Sequence, residues 1–439
     1  MNTESKPLQT GNETRMAKRL VEPFSAPPQM KPRTRSGDSE GFPSSGRKIP
    51  DLVCFSHLRW DFVYQRPQHL LTRCARDRRV FFVEEPIFGN SSMRLEVLER
   101  DGGVRVVVPH LPDGLRSEVA TTAVLKEMMR RLFMEQGIRE YVFWYYTPMA
   151  LSFTKHFSPI ASIYDCMDEL SAFKGAHSRL ADFERELFKR VDLVFTGGHS
   201  LYEAKRNAHA SVHSFPSSID VSHFGKARTI TRDPQDQAGI PQPRLGFFGV
   251  IDERFDIELL DAVARKRPDW HFVMIGPVVK IHPNTLPKHA NIHYLGPKKY
   301  EELPSYLAGW DIALLLFARN ESTRFISPTK TPEYLAAGKP VISTSIRDVI
   351  RPYGELNLVR IADSPSEFIR AAEDFMTKGR NNNEWLSRVD DFLADLSWDK
   401  TWAQMSDLIN QTIDTKQRGN AKPSPAADVT SRRVSVVGA

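Results

Sequence analysis

The residues best suited to chemistry lie in one segment, SPTKTPEYLAAGKP, at residues 327–340. Thr329 stands where a helix is expected to begin, and the first helical turn offers unpaired N–H groups and a positive dipole end to a phosphate. Lys330 in that turn adds a cation, which is unfavourable there unless an anion binds. The Glu333 carboxylate could accept hydrogen bonds from ribose hydroxyls, although a capping-box role would need no ligand.

A second polar group follows the first apolar run of the chain, Leu52 to Ser56. His57 and Arg59 come directly after that run, and Arg66 opens the next helix, where the following proline suits the first helical position. Two arginines beside one loop can hold a phosphate or a carboxylate. We therefore expect His57, Arg59 and Arg66 to contact the acceptor of a reaction at this strand end.

Acidic residues follow a third apolar strand in the sequence YDCMDE, residues 164–169. Asp165 or Asp168 could act as the general base that removes a proton from an acceptor hydroxyl. The same spacing is compatible with helix capping, and also with oxygen ligands for magnesium. These three interpretations stay open, and Asp165 and Asp168 are the predicted catalytic residues.

Short runs of Val, Ile and Phe alternate with segments of helical period from residue 51 onward, which is the pattern of a parallel α/β sheet. The pattern stops over residues 225–243, which contain three prolines, and then restarts. The predicted fold is α/β, with two facing Rossmann-like, doubly wound parallel-sheet domains and a C-terminal helix that returns to the first. The predicted boundaries are a disordered basic tail at 1–49, a first Rossmann-like domain at 50–224, a linker at 225–243, a second Rossmann-like domain at 244–396, a bracing helix at 397–414 and a second disordered basic tail at 415–439.

The formal net charge of +6 belongs to the two tails. Residues 1–49 hold nine Lys and Arg against five Asp and Glu, and residues 415–439 hold five against one. The tails thus carry +8 together, so residues 50–414 carry −2. That balance argues against a nucleic-acid-binding body. Three cysteines without a CxxC spacing exclude a disulfide scaffold, and no apolar run reaches 18 residues, so an integral membrane protein is excluded too.

The segment SPTKTPEYLAAGKPVIST closely resembles the nucleotide-binding segment of GT-B glycosyltransferases, in particular family 4-like enzymes (glycosyl transferases group 1) of a bacterial subgroup. RLGFFGVIDERFD is similar to the first strand and glycine loop of their second domain, and FPSSIDVSHF to the segment that joins the domains. The resemblance extends from about residue 51 to residue 410 and leaves out only the tails.

The resemblance implies transfer of a sugar from a nucleoside diphosphate sugar, with UDP or GDP as the expected nucleotide and no further cofactor or metal. The second domain would hold the nucleotide and the first would hold a glycan, lipid-linked or small-molecule acceptor. Six residues are carried over by position to the diphosphate, ribose and base: Gly249, Arg254, Gly276, Thr329, Lys330 and Glu333.

Two positions depart from the family pattern. Many family 4 enzymes have a glutamate eight positions before the one that matches Glu333, and here that position is Phe325. Val250 stands where an arginine is expected after the glycine loop, and Arg254 is the nearest replacement. These departures concern the donor sugar and the stereochemistry of transfer, not the fold.

The resulting prediction is a cytoplasmic glycosyltransferase of envelope or exopolysaccharide synthesis, with peripheral contact to the inner face of the membrane as one option. A second hypothesis is a sugar- or nucleotide-binding protein that has the fold but no turnover, suggested by Phe325 and Val250. A dinucleotide-dependent oxidoreductase is disfavoured, because SHLRWD and GVIDER replace the GxGxxG that would follow each first strand.

Overall fold

The computed structural model describes residues 49–89, 92–378 and 383–420. Most of the two predicted basic tails therefore lies outside the described residues. None of the helices in these three ranges is both long and apolar enough to cross a lipid bilayer.

The first sheet has nine strands among the described residues, and its central strands are buried apolar runs, as expected for a sheet covered on both faces. Its spatial order is β3-β5-β2-β1-β6-β7-β8-β9, and β4 pairs antiparallel with β5 while every other pairing is parallel. The strands are β1 Asp51–Ser56, β2 Val80–Glu84, β3 Ile87–Gly89, β4 Arg94–Arg100, β5 Val104–Pro112, β6 Tyr141–Tyr145, β7 Ala161–Cys166, β8 Leu193–Thr196 and β9 Val212–Ser214.

The second sheet has six parallel strands in the order β12-β11-β10-β13-β14-β15. Its strands are β10 Arg244–Phe248, β11 His271–Ile275, β12 Ile292–Gly296, β13 Ile312–Leu315, β14 Val341–Ser343 and β15 Arg360–Ile361. The direction of winding reverses between β10 and β13. A crevice opens at such a point outside the carboxyl ends of the strands, and ligands of doubly wound sheets bind there.

Helices connect the strands and cover both sheets. They are α1 Arg66–Cys74, α2 Glu118–Glu135, α3 Leu151–Thr154, α4 Leu180–Phe188, α5 His199–Lys205, α6 Val221–Phe224, α7 Gln235–Ala238, α8 Ile257–Lys266, α9 Leu303–Ala308, α10 Lys330–Ala336, α11 Arg347–Val349, α12 Pro365–Lys378, α13 Asn383–Leu393 and α14 Trp398–Asn420. Polar side chains cap several of them; at α8, Asp256 accepts a hydrogen bond from the Leu259 N–H at 2.9 Å.

Each sheet has a hydrophobic core on both faces, and the last helix completes one core of the first sheet. Trp398 and Trp402 of α14 are buried with Leu52 of β1 and Trp144 of β6. The predicted α/β architecture, with its returning C-terminal helix, is therefore confirmed. The helix continues to Asn420, six residues into the range predicted as a basic tail.

The region predicted as a linker, residues 225–243, is packed against the core of the second sheet. Gln237 is fully buried, and its side-chain oxygen accepts a hydrogen bond from the Trp310 indole N–H at 2.9 Å. Ile240 lies in the same hydrophobic cluster as Trp310. The prolines indicated the break in the βα pattern but not this packing. A few buried side chains hold the segment against the core, and so few apolar residues leave no pattern in the sequence.

Candidate functional site

Three loops meet at the carboxyl edge of the second sheet, where the winding reverses. Gly249 follows β10, Gly276 follows β11, and the chain after β13 leads to Thr329 at the start of α10. No side chain caps α10 at Thr329. The sheet therefore brings together residues that are up to 80 positions apart in the chain and were predicted as one nucleotide site.

The two glycines are required by close backbone packing. Both have φ values that side-chain-bearing residues rarely adopt, +137° at Gly249 and +140° at Gly276. A Cβ on Gly276 would lie 1.9 Å from the Gly249 carbonyl oxygen, and a Cβ on Gly249 would lie 2.1 Å from Lys330 Cε. The Lys330 side chain thus passes directly over the Gly249 backbone, so the glycine loop and the cation form one surface.

Lys330 and Glu333 influence each other's charge. Burial raises the pKa of the Glu333 carboxyl to about 7, and the neighbouring Lys330 charge opposes that rise. Burial lowers the pKa of the Lys330 ammonium, and Glu333 opposes that change in turn. Neighbouring ionisable groups with strongly shifted pKa values are common at functional sites, because burial and nearby charges are arranged there to suit a ligand or a reaction.

Two further cations approach an aromatic ring that belongs to the first domain. Arg254 forms a bidentate ion pair with Asp252, and its guanidinium carbon lies 5.2 Å from the Phe173 ring centroid. Lys280 Nζ lies 5.1 Å from the same centroid and 3.5 Å from Glu253 Oε1. The sequence analysis missed Lys280. Its left-handed backbone (φ +61°) is visible only in the structure.

Asp168 and His57 of the first domain face these cations. Burial raises the pKa of the half-buried Asp168 carboxyl to about 6, with Arg254 and Arg66 opposing the rise. Burial lowers the pKa of His57 to about 4, and Lys280 contributes to that lowering. His57 Nδ1 is buried and has no hydrogen-bond partner among the described residues. Both side chains therefore stand at the cleft where the analysis expected an acceptor.

Arg66 and Asp165 are engaged with each other, a pairing that the sequence did not indicate. The Arg66 guanidinium donates to both Asp165 oxygens, at 3.0 and 2.9 Å, and to the Phe215 carbonyl oxygen at 2.8 Å. The two residues are only 2% and 0% exposed. A buried carboxylate needs a cation and hydrogen bonds to offset its desolvation. Each side chain is thus already satisfied by the other, and the roles of Asp165 as a base and of Arg66 as an acceptor contact stay predictions.

Other predicted polar residues are also paired. Arg59 donates to Glu84 Oε2 at 2.8 Å and to the Glu85 carbonyl at 2.7 Å, which ties the loop after β1 to the end of β2. Glu169 is ion-paired with Lys205 at 2.8 Å. Across the described residues, no group of three or more acidic, His or Cys side chains is arranged to hold a metal ion. The acidic run after β7 is therefore divided between separate cations.

The two domains touch along one side of the cleft. Phe325, at the position where the family pattern has a glutamate, packs against a core cluster of the first domain. Asp348 accepts a hydrogen bond from the Ser200 N–H at the start of α5, at 2.9 Å. Ser217 Oγ donates to the Ser327 carbonyl at 2.9 Å. Phe325 thus serves as an apolar contact across the cleft, which a glutamate could not provide.

Comparison with known proteins agrees with this geometry. Residues 242–378 match a family described as glycosyl transferases group 1. A protein of Bacillus subtilis strain 168, named as a candidate teichuronic acid biosynthesis glycosyltransferase, is 27% identical over 260 residues. That match covers 55% of this chain and 64% of the relative, so it spans less than two thirds of the relative's length.

Solved structures with the same fold are much more distant in sequence. Sucrose-phosphate synthase from Thermosynechococcus elongatus has a TM-score of 0.63 at 13% identity, covering 84% of this chain and 100% of that one. A trehalose-6-phosphate protein from E. coli, solved with UDP-2-fluoro glucose bound, has a TM-score of 0.60 at 12% identity, covering 83% and 99%. At these identities the likeness concerns the fold.

Proposed function

We propose that this chain, whose residues 242–378 belong to the glycosyl transferases group 1 family and whose two sheets form the GT-B fold, transfers a sugar from a nucleoside diphosphate sugar to an acceptor. The observation that carries the proposal is the surface formed by Gly249 and Lys330, where a cation lies over a side-chain-free backbone. The glycine leaves room for the Lys330 side chain, and a diphosphate beside this surface would find the positive charge there.

The departing diphosphate develops negative charge as the glycosidic bond to the nucleotide breaks. Lys330, Arg254 and Lys280 are the cations placed to meet that charge, and preorganised charges of this kind lower a reaction barrier without reorganising. Lys280 and Arg254 would together supply the positive charge of the arginine that is expected at position 250, where this chain has valine. Gly276 and Thr329 would complete the nucleotide site, and Glu333 would bind the ribose.

Asp168 is the base that we propose for the acceptor hydroxyl. Its carboxyl is half-buried, and a pKa raised to about 6 is closer to the pH of the cell than that of an ordinary aspartate, which favours proton acceptance. Asp168→Asn should lower the rate of transfer by about 100-fold or more. His57 would orient the acceptor through its unpartnered ring nitrogen, and Arg59 would contact it from the edge of the cleft.

The acceptor that we propose is a glycan, lipid-linked or small-molecule acceptor in bacterial envelope or exopolysaccharide synthesis. The relative named for teichuronic acid biosynthesis supports this class of pathway. The chain would then work in the cytoplasm, with peripheral contact to the inner face of the membrane where the acceptor is lipid-linked. Neither the family match nor the relative supports the alternative of a binding protein without turnover.

Thermal stabilisation by UDP, GDP, ADP, dTDP and CMP, with and without magnesium, tests the nucleotide site. UDP is the first choice because a protein of the same fold was solved with a UDP sugar. A ligand at 100 times its dissociation constant should stabilise the protein by about 2.7 kcal/mol, which is several degrees in melting temperature. We expect one nucleoside diphosphate to raise the melting temperature of the wild type, and we expect Lys330→Ala to abolish that rise. No stabilisation by any of the five would contradict the proposal.

A further inference from the structure

A pocket of about 360 Å³ lies in the second domain, between the loops that follow β13 and β14. The loop after β13 forms one wall with Arg319, Glu321, Arg324 and Phe325, and the loop after β14 forms the other with Ser345 and Arg347. A volume of this order accommodates a small ligand. The proposed roles of Lys330, Arg254 and Asp168 do not use this pocket.

The pocket is positively charged. Three arginines and one carboxylate, that of Glu321, line it, which gives the lining itself a net charge of +2; Asp363 and Glu203, which pair with two of the arginines, lie outside the lining. The three arginine side chains are half or more exposed, at 56% for Arg319, 62% for Arg324 and 50% for Arg347. The cations are therefore available to a ligand that enters from solvent.

Each arginine has a carboxylate neighbour, but the contacts are those of weak surface pairs. Arg319 lies 3.3 Å from Asp363 and Arg324 lies 3.5 Å from Glu321. Arg347 pairs with Glu203 of the first domain. Exposed pairs contribute about 0–1 kcal/mol, so an anion bound by two guanidinium groups can replace them at little cost.

The position of the pocket connects it to the transferred sugar. Phe325 forms part of its wall and at the same time packs against the first domain, so the pocket lies at the cleft. The same loop continues within five residues to Lys330, which we assigned to the diphosphate. A group held in this pocket would thus belong to a ligand bound at the cleft, and in the proposed reaction that ligand is a sugar.

We infer that this pocket binds the anionic group of an acidic sugar, a carboxylate or a phosphate, and so selects a charged sugar substrate. The inference rests on the proposed transfer reaction for its biological meaning. The guanidinium fork matches carboxylate and phosphate oxygens in a bidentate manner, while neutral sugar hydroxyls gain much less from arginine. Arg324 stacks its guanidinium 5.1 Å from the Phe325 ring centroid, which limits the freedom of that fork.

Calorimetric titration of the full chain with glucuronate, glucose 6-phosphate, glucose and inorganic phosphate tests the inference. We expect glucuronate or glucose 6-phosphate to bind at least tenfold more tightly than glucose, and the better of the two identifies the anionic group. We expect inorganic phosphate to bind more weakly than the acidic sugar. Equal affinity for glucose, or equal affinity for inorganic phosphate, would overturn the assignment to an acidic sugar.

Variants make the test specific to this pocket. Arg319→Gln and Arg324→Gln should each weaken binding of the acidic sugar by about tenfold, while Glu321→Gln should strengthen it severalfold because it frees Arg324. Arg265→Gln, an exposed arginine paired with Asp261 on α8, is the matched control and should leave binding unchanged. Unchanged affinity in both pocket variants would refute the inference.

The two proposals can fail separately. Stabilisation by a nucleoside diphosphate without binding of an acidic sugar would remove only the pocket assignment. Binding of an acidic sugar that depends on Arg319 and Arg324, without stabilisation by any nucleotide, would retain the pocket and remove the transfer reaction. Melting temperatures of the variants confirm that each remains folded.

Discussion

Each of the two sheets has a crevice at the carboxyl ends of its strands, and the two crevices differ in how their charged residues are paired. In the first sheet, the space near the ends of β1 and β7 is occupied by Arg66 and Asp165, which are buried against each other. In the second sheet, the corresponding space beyond β10 has Gly249, with Lys330 lying across it. In the first crevice a cation and a carboxylate neutralise each other inside the protein, whereas in the second the Lys330 cation lies over a backbone without a side chain.

This difference shows that a charged residue at the end of a strand does not by that position alone contact a ligand. Charged residues occur at both crevices, so residue type and location predicted ligand contact at both. The deciding quantity is whether the charge is fully buried together with a partner of opposite sign at hydrogen-bond distance, as Arg66 is at 2% exposure. Arg66 has one within 3.0 Å, whereas Lys330 has beneath it a glycine without a side chain.

Breaking the buried pair should have the largest effect. Arg66→Met leaves the Asp165 carboxylate buried without its cation, so we expect the free energy of unfolding to fall by about 3–5 kcal/mol in a urea titration. Adding Asp165→Leu removes the stranded charge and should restore part of that loss.

The matched control for this comparison is Arg265→Met, which breaks an exposed pair with Asp261. It should change the free energy of unfolding by about 1 kcal/mol or less. A loss in Arg66→Met no greater than that of the control would mean that the pair does not stabilise the first domain, and the contrast between the crevices would disappear.

Filling the second crevice should reduce ligand binding. Gly249→Ala places a methyl group where Lys330 Cε lies and strains a backbone at φ +137°. We expect the nucleotide that stabilises the wild type to bind about 10–100-fold more weakly, the equivalent of one lost charge-assisted hydrogen bond. Titration of the melting temperature against nucleotide concentration measures this.

Gly239→Ala is the control for that substitution, because its φ is −82° and nothing lies within 4 Å of an added Cβ. It should bind nucleotide like the wild type. Wild-type affinity in Gly249→Ala would show that the ligand does not depend on the position of Lys330 over this backbone.

The smallest expected effect concerns Asp168, which faces the cations of the second domain. Its pKa is raised on folding from an ordinary 3.8 to about 6, so the folded state favours the protonated form and loses stability as the pH rises through 6. Asp168→Asn should therefore raise the melting temperature more at pH 7 than at pH 4. Asp395→Asn, at a 96% exposed site, should give the same shift at both pH values.

An Asp168→Asn shift that is equal at pH 4 and pH 7 would contradict a carboxylate held at a cost to stability. A loss of folding stability caused by the ionised Asp168 carboxyl is expected where a residue serves the reaction and not the stability of the fold.

Much of the fold could be predicted from the sequence, because buried parallel strands have a composition of their own and the break at residues 225–243 is rich in proline. The returning helix was also predicted, although its extent to Asn420 was not, since polar residues continue an amphipathic helix without an apolar signal. The nucleotide segment was recognised by its motif and stays a prediction at the level of individual residues.

The paired and strained residues could not be predicted. Arg66 and Asp165 are 99 positions apart, and nothing in either local sequence indicates that they neutralise each other. Lys280 approaches Phe173 through a fold contact between domains, again without a local signal. Sequence patterns indicate the element and the strand end on which a residue lies, whereas its partner across a cleft depends on the tertiary structure.

The returning helix α14 has a consequence for synthesis of the chain. Five of its apolar side chains, ending at Ile413, complete a core that begins with Leu52, whereas the core of the second domain ends with Leu393. The domain that leaves the ribosome first therefore cannot finish folding until the other is complete. A chain halted at residue 396 should present a protease-sensitive first domain joined to a resistant second one.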